Sequence, residues 1–192
     1  MMRIITGTAR GTKLVSLEGV ATRPTSERAK EAMFSALAFE IKDREVLDLF
    51  SGSGQLALEA LSRGASHATL VDSAPAAIRV IRQNVAKTHM EEKATVVQSD
   101  CLAYLEKVNP ARPFALIFID PPYIKRLVPD MLTAILSRGL ASSDAIFVCE
   151  SEEEDIFEGN ETLRAQFTIR RIARYAKAVV TILERNQEEA KV

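Results

Sequence analysis

Val46-Leu-Asp-Leu-Phe-Ser-Gly-Ser-Gly54 decides the fold. An apolar, strand-like run leads into a turn with glycine at alternate positions, and a helical pattern over 55–63 follows. Strand, glycine turn and helix in that order open a parallel α/β sheet. The unit recurs downstream. Ala68-Thr-Leu-Val-Asp72 precedes a helix over 75–88, and Ala94-Thr-Val-Val-Gln98 precedes one over 101–107. Phe114-Ala-Leu-Ile-Phe-Ile119 precedes a helix over 125–138, and strand Ala145-Ile-Phe-Val-Cys149 follows. Strands this apolar need cover on both faces, which predicts a doubly wound, mostly parallel Rossmann-like sheet.

The pattern changes after residue 160. Phe167–Arg174 and Ala178–Leu183 lie close together with no helix between them, so they read as an antiparallel hairpin closing one edge of a seven-stranded sheet. Upstream, Arg3-Ile-Ile-Thr6 and Thr12-Lys-Leu-Val15 are short β-like runs punctuated by Gly7, Gly11 and Gly19. They suggest a small hairpin or arm over 1–20. Thr25-Ser26 open a helix with an apolar stripe at Ala29, Ala32, Met33, Ala36 and Leu37, expected to run to about residue 39. The main domain is then 21–185, with a frayed tail over 186–192.

At 192 residues and 47% hydrophobic content the chain fits one domain with an ample core. A net charge of -1 gives no global nucleic-acid signature, so basic residues must be judged by position. Cys101, Cys149, His67 and His89 show no zinc spacing, and no metal is expected. Unpaired cysteines and the lack of a membrane span or signal-peptide core point to a cytoplasmic protein.

The glycine turn lies where open α/β sheets bind ligands. Gly52 and Gly54 allow close backbone approach. Gly52-x-Gly54-x-x-Ala57 with Asp72 also fits a dinucleotide fingerprint, so a nicotinamide cofactor stays open at this point. Asp48 favours another ligand: an acid before the turn repels pyrophosphate and suits the cationic aminoacyl group of S-adenosylmethionine. Asp72 can accept from ribose hydroxyls. Asp100 can accept from an adenine amino group, with the Cys101 N–H facing a ring nitrogen. Each of these acids could instead cap a helix.

Asp120-Pro-Pro-Tyr123 ends the fourth apolar strand. The carboxylate and the Pro121 carbonyl offer two acceptors for the two hydrogens of an exocyclic amine. Pro121 and Pro122 stiffen the turn, and Tyr123 offers a ring to stack a base. The combination suits methyl transfer to a flipped or single-stranded nucleobase.

Thr22-Arg-Pro-Thr-Ser-Glu-Arg28 with Lys30-Glu31, the 46–54 segment, Leu58-Glu-Ala-Leu-Ser-Arg-Gly-Ala65 and Asp120-Pro-Pro-Tyr123 together resemble the RsmD family. These are bacterial methyltransferases acting on the 2-amino group of a guanine in 16S ribosomal RNA. The resemblance implies Asp48, Ser51, Gly52 and Gly54 around S-adenosylmethionine, Asp72 on its ribose and Asp100 near its adenine, with S-adenosylhomocysteine as product. It implies Asp120 through Tyr123 at the amine, and a loop over Arg23–Arg28 reaching toward RNA. The expected partner is 16S rRNA or an assembling small subunit, bound by a monomer. Gln55, Ala57, Asp72-Ser-Ala and Tyr175-Ala-Lys177 depart from the family pattern without removing a chemical group the reaction needs.

Arg3, Arg10, Lys13, Arg23, Thr25, Arg28 and Lys30 make the N-terminal region the expected RNA contact. Arg170-Arg171, Arg174 and Lys177 could extend it, while Glu150-Ser-Glu-Glu-Glu-Asp155 is expected as a solvated loop facing away. The rival substrate is adenine N6 in DNA or another RNA, which the Asp-Pro-Pro-Tyr chemistry alone does not separate from guanine N2.

Overall fold

A computed structural model describes residues 2–17, 27–122 and 127–186, with no side-chain description for Glu27 and Arg28. In chain order the elements are α1 (Glu27–Ala36), β1 (Glu45–Leu49), α2 (Gln55–Ser62), β2 (His67–Asp72) and α3 (Pro75–Thr88). A single 3-10 turn, Glu91–Lys93, leads into β3 (Ala94–Gln98). Then come α4 (Cys101–Lys107), β4 (Phe114–Ile119), α5 (Val128–Ser137), β5 (Ala141–Ser151), α6 (Glu161–Arg164), β6 (Phe167–Tyr175) and β7 (Ala178–Arg185).

The sheet order is β3-β2-β1-β4-β5-β7-β6. The first five strands pair parallel, and β7 joins β5 and β6 antiparallel. This is the expected mostly parallel seven-stranded sheet with its edge hairpin. Strand order reverses between β1 and β4, which opens a crevice at their carboxyl ends.

Strand alternation splits the continuous apolar runs between two cores. Val46, Leu70, Phe118, Val148 and Ile182 pack with Phe34 of α1, Leu58 of α2 and Ile81 of α3. Leu47, Val71, Ile117, Phe147 and Leu183 pack with Leu105 of α4 and Leu132 of α5. Each residue two positions along a strand therefore returns to the same layer, and this parity governs where the strand-end acids point.

Several element bounds differ from the sequence reading. Helix α1 ends at Ala36, not near 39, because Glu40 N–H turns back to the Leu37 carbonyl and Phe39 projects wholly into solvent. Helix α5 spans 128–137; the expected start at 125 lies outside the described residues. Strand β5 extends on both sides of the expected 145–149, because β7 pairs it as far as Ser151 and β4 pairs Phe114 with Ala141. Helix α6 and the 3-10 turn are too short to leave a periodic signature.

The arm forms a loose hairpin with one bridge, Arg3 to Lys13. It is fastened by side chains of the domain rather than by a ladder. Gly7 lies so hard against α2 that an added Cβ would stand 1.7 Å from the Ser62 carbonyl oxygen. Glu59 on α2 accepts from Ile5 N–H (2.7 Å) and Thr6 N–H (3.0 Å). Asn84 on α3 accepts from Val15 N–H (2.7 Å) and donates to the Val15 carbonyl (3.0 Å). No helix among the described residues is long and apolar enough to cross a membrane.

Candidate active site

Two strand ends build the site. The rung Leu49 to Ile119 sets the glycine loop after β1 beside Asp120-Pro121 after β4. Beyond β1 the backbone alternates into the left-handed region at Phe50 (φ 61°), Gly52 (φ 57°) and Gly54 (φ 77°). For Phe50 this is a strained state, of the kind held only where surrounding contacts over-determine it. Here they do: Ser51 N–H donates to the Val71 carbonyl (3.0 Å), and Gly54 N–H donates to Ser51 (2.7 Å). A side chain at Gly54 would be strained, since φ is 77° and its Cβ would stand 2.9 Å from the Leu70 Cδ2 methyl, which would have to shift.

The strand-end acids engage the loop directly. Asp72 accepts from Gly52 N–H (2.9 Å) and Ala74 N–H (2.9 Å). Asp48 is 1% exposed and accepts from Ala57 N–H (3.2 Å). It thereby caps the third amide of α2, a task its N-cap residue Gly54 has no side chain to perform. Ser51 Oγ donates to the Asp48 carbonyl (2.7 Å). Asp100 is the N-cap of α4 and accepts from Ala103 N–H (3.1 Å). Asp48 and Asp100 thus cap helices α2 and α4, the alternative role open to them from sequence, while Asp72 braces the glycine loop.

This wiring bears on the two cofactor readings. A pyrophosphate needs free backbone N–H groups at the glycine loop and the helix start. At Gly52 and Ala57 those groups already serve carboxylates. Three acids at adjacent strand ends suit a ligand with positive charge, as the sulfonium and ammonium of S-adenosylmethionine provide. Among the described residues no group of acids, histidines and cysteines is placed to hold a metal ion.

Burial pushes the Asp48 carboxyl up to about 7, aided by the Asp72 charge and opposed by the Ala57 N–H and Ser51. Burial likewise pushes the Cys101 thiol up to about 12, and the charges of Asp72, Asp100 and Asp48 add to it. The three acids thus lie near an inert thiol. An acid with a raised folded pKa binds its proton more tightly in the native state, so stability present below about pH 4 is lost as pH rises through about 7. Asp48→Asn is expected to flatten that decline, raising stability at pH 8 relative to wild type by up to roughly 4 kcal/mol. Urea unfolding at pH 4 to 8 measures it; an unchanged difference between the two proteins across that range contradicts the assignment.

Asp120 is half-buried. Burial first, then the charges of Glu150 and Asp48, push its carboxyl well above the usual carboxylate range. Pro121 is buried behind it and Pro122 is exposed. Tyr123, Arg23, Thr25 and the side chain of Arg28 lie outside the described residues. Arg3, Arg10 and Lys13 are exposed on the arm, whereas Lys30, also expected at RNA, is fully buried with its Nζ donating to the Arg3 carbonyl (2.8 Å). In the later basic run Arg170 is engaged by Glu40 (2.8 Å) and Glu184 (3.2 Å), and Arg174 by Glu154 (3.0 Å), while Arg171 and Lys177 are exposed.

Glu150 corrects a second expectation. It does not belong to a solvated loop: β5 continues through it, alternation turns it inward, and it is 6% exposed. The acidic run is therefore solvated only beyond it. Glu59 and Asn84 were also missed. The signal for Glu59 is a charge in a helix, Gln55-Leu-Ala-Leu-Glu-Ala-Leu-Ser62, with no polar face; for Asn84 it is an amide inside the apolar stripe Ile78, Ile81, Val85. Asn84 Nδ2 also donates to the Ser53 carbonyl (2.9 Å), tying the arm to the glycine loop.

Known proteins are similar to this chain in sequence and fold. The model of the family described as conserved hypothetical protein 95 matches residues 2–189. Ribosomal RNA small subunit methyltransferase D from Escherichia coli (strain K12) is 35% identical over 170 residues, 88% of this chain and 83% of that protein. The solved structure of yhhF from Escherichia coli superposes with a TM-score of 0.84 at 33% identity, covering 97% of this chain and 99% of that one. SMU.776, solved in complex with SAH, has the same fold at 15% identity and a TM-score of 0.66, over 80% of this chain and 48% of that one.

Proposed function

The chain belongs to the RsmD family, and we propose that it transfers a methyl group from S-adenosylmethionine to the 2-amino group of a guanine in 16S ribosomal RNA. The observation that carries this reading is the Leu49 to Ile119 rung, which sets an acid-lined glycine loop directly beside Asp120 and the Pro121 carbonyl. The donor and acceptor halves of the reaction then share one crevice.

Ser51, Gly52 and Gly54 shape the donor cradle, with Asp48, Asp72, Asp100 and the Cys101 N–H around it. Asp72 keeps acceptor capacity after its two backbone contacts, since a carboxylate offers about four lone-pair sites. S-adenosylmethionine, when bound, supplies a methyl group already activated on a sulfonium. Asp120 and the Pro121 carbonyl accept the two amine hydrogens, which draws the nitrogen lone pair out of conjugation. The raised pKa makes the Asp120 carboxylate a ready acceptor for the proton that nitrogen sheds. Catalysis rests on positioning and fixed electrostatics. Tyr123 stacks the base, and the arm with Arg3, Arg10, Lys13, Arg23, Thr25 and Arg28 holds RNA of the small subunit. The family relation supports the RNA substrate, and the acceptor geometry supports an amine target.

The reading is tested by incubating the protein with labelled S-adenosylmethionine and undermethylated small-subunit particles. Label in the RNA is the expected result; label confined to protein or absent contradicts it.

A further inference from the structure

We propose that Glu150 accepts the N1–H of the target guanine and thereby makes the acceptor site select guanine over adenine, an assignment that rests on the methyl-transfer reading above. Asp120 and Glu150 each follow the last parallel rung between their strands, Ile119 to Cys149. Both have the strand parity of Phe118 and Val148, so both turn to the layer that holds α1. They line one small pocket of about 10 Å³ together with Met33, Leu56, Val148 and Val180. Glu150 also borders a cleft of about 240 Å³ that includes Pro121 and Pro122. It therefore borders both Asp120 and the two prolines of the acceptor turn. The Glu150 charge contributes to the raised pKa of Asp120, as close neighbours require.

The chemistry of the base supplies the rest. On its pairing edge guanine presents two adjacent donors, the 2-amino group and N1–H. Adenine presents a 6-amino group beside a bare N1 lone pair. Asp120 and Pro121 serve the amine in both cases and cannot tell the bases apart. An acceptor-only carboxylate one strand over completes a guanine edge and repels the adenine N1. Glu150 can keep a protein partner and still accept N1–H, because two carboxylate oxygens offer several sites. Sites built to bond a substrate N–H reject analogues lacking it far more strongly than apolar pockets reject a missing methylene.

The test uses 2-aminopurine, which keeps the 2-amino group and lacks the N1 proton. Small-subunit particles carry either guanine or 2-aminopurine at the nucleotide the enzyme methylates, and kcat/KM is compared for wild type, Glu150→Gln and Glu150→Ala. Wild type is expected to prefer guanine by about 10²-fold. Glu150→Gln is expected to narrow that ratio at least about tenfold, since its amide N–H can donate to the bare N1. Glu150→Ala should narrow it by removing the repulsion. A wild-type ratio near one overturns the proposal without any variant. Ratios unchanged in both variants overturn it while leaving methyl transfer intact, and failure of wild type on guanine overturns the functional reading and the proposal together.

Discussion

Asp120→Ala is expected to lower kcat/KM for methyl transfer by about 10³-fold or more while the donor Kd stays within about threefold. The change removes one of the two acceptors for the amine hydrogens and the base that receives the departing proton. It leaves the cradle intact, because the Gly52 and Ala57 amides are held by Asp72 and Asp48. Asp120→Asn separates the two roles. The amide oxygen still accepts one N–H, so about 10–100-fold is lost instead. Asp120 titrates well above the usual carboxylate range, so wild-type activity should rise with pH as the carboxyl ionises. The asparagine variant should lack that rise. Single-turnover rates across pH, with donor affinity from calorimetry, measure both. Near-normal turnover by the alanine variant removes Asp120 from the amine site.

The second large effect concerns stability. Glu59 and Lys30 both have fully buried side chains, 3.8 Å apart. Glu59 also accepts from Arg63 Nε at 2.8 Å, and Lys30 Nζ donates to the Arg3 carbonyl at 2.8 Å. One carboxylate therefore joins α2, α1 and the arm. Glu59→Ala removes the carboxylate beside a buried ammonium and leaves two backbone N–H groups without their acceptor, which is expected to cost about 3–5 kcal/mol. Arm amides at Ile5 and Thr6 should exchange faster in the variant. Glu59→Gln keeps one of the two acceptor oxygens and should cost less than the alanine change. Urea unfolding with hydrogen exchange reads both; a loss under about 1 kcal/mol for the alanine variant contradicts the clamp.

The same residues show how far sequence reaches. The succession and direction of the strands were legible because each parallel strand is a continuous apolar run closed by an acid or a turn; the strand order across the sheet, the split between two cores and the shortest helices were not. The positions of Asp48, Asp72, Asp100 and Asp120 were legible for the same reason. Their backbone partners were not, since Asp48 reaches nine residues ahead to Ala57 and Asp72 reaches back twenty to Gly52. The Leu58–Ala65 motif carried the family resemblance, yet its physical purpose emerged only with the arm docked: Glu59 grips Ile5 and Thr6, and Ser62 Oγ donates to the Thr6 carbonyl at 2.6 Å. Glu150 was misplaced because its acidic neighbours suggested solvent. Pairing with β7, a contact distant in sequence, set its orientation instead.

The central claim is methyl transfer to guanine N2, and nucleoside mass spectrometry of the reacted RNA tests it most directly. Small-subunit RNA from cells lacking the protein, methylated afterwards by the purified protein, should gain N2-methylguanosine at one position. N6-methyladenosine in its place, or no new methylated nucleoside, would contradict the account.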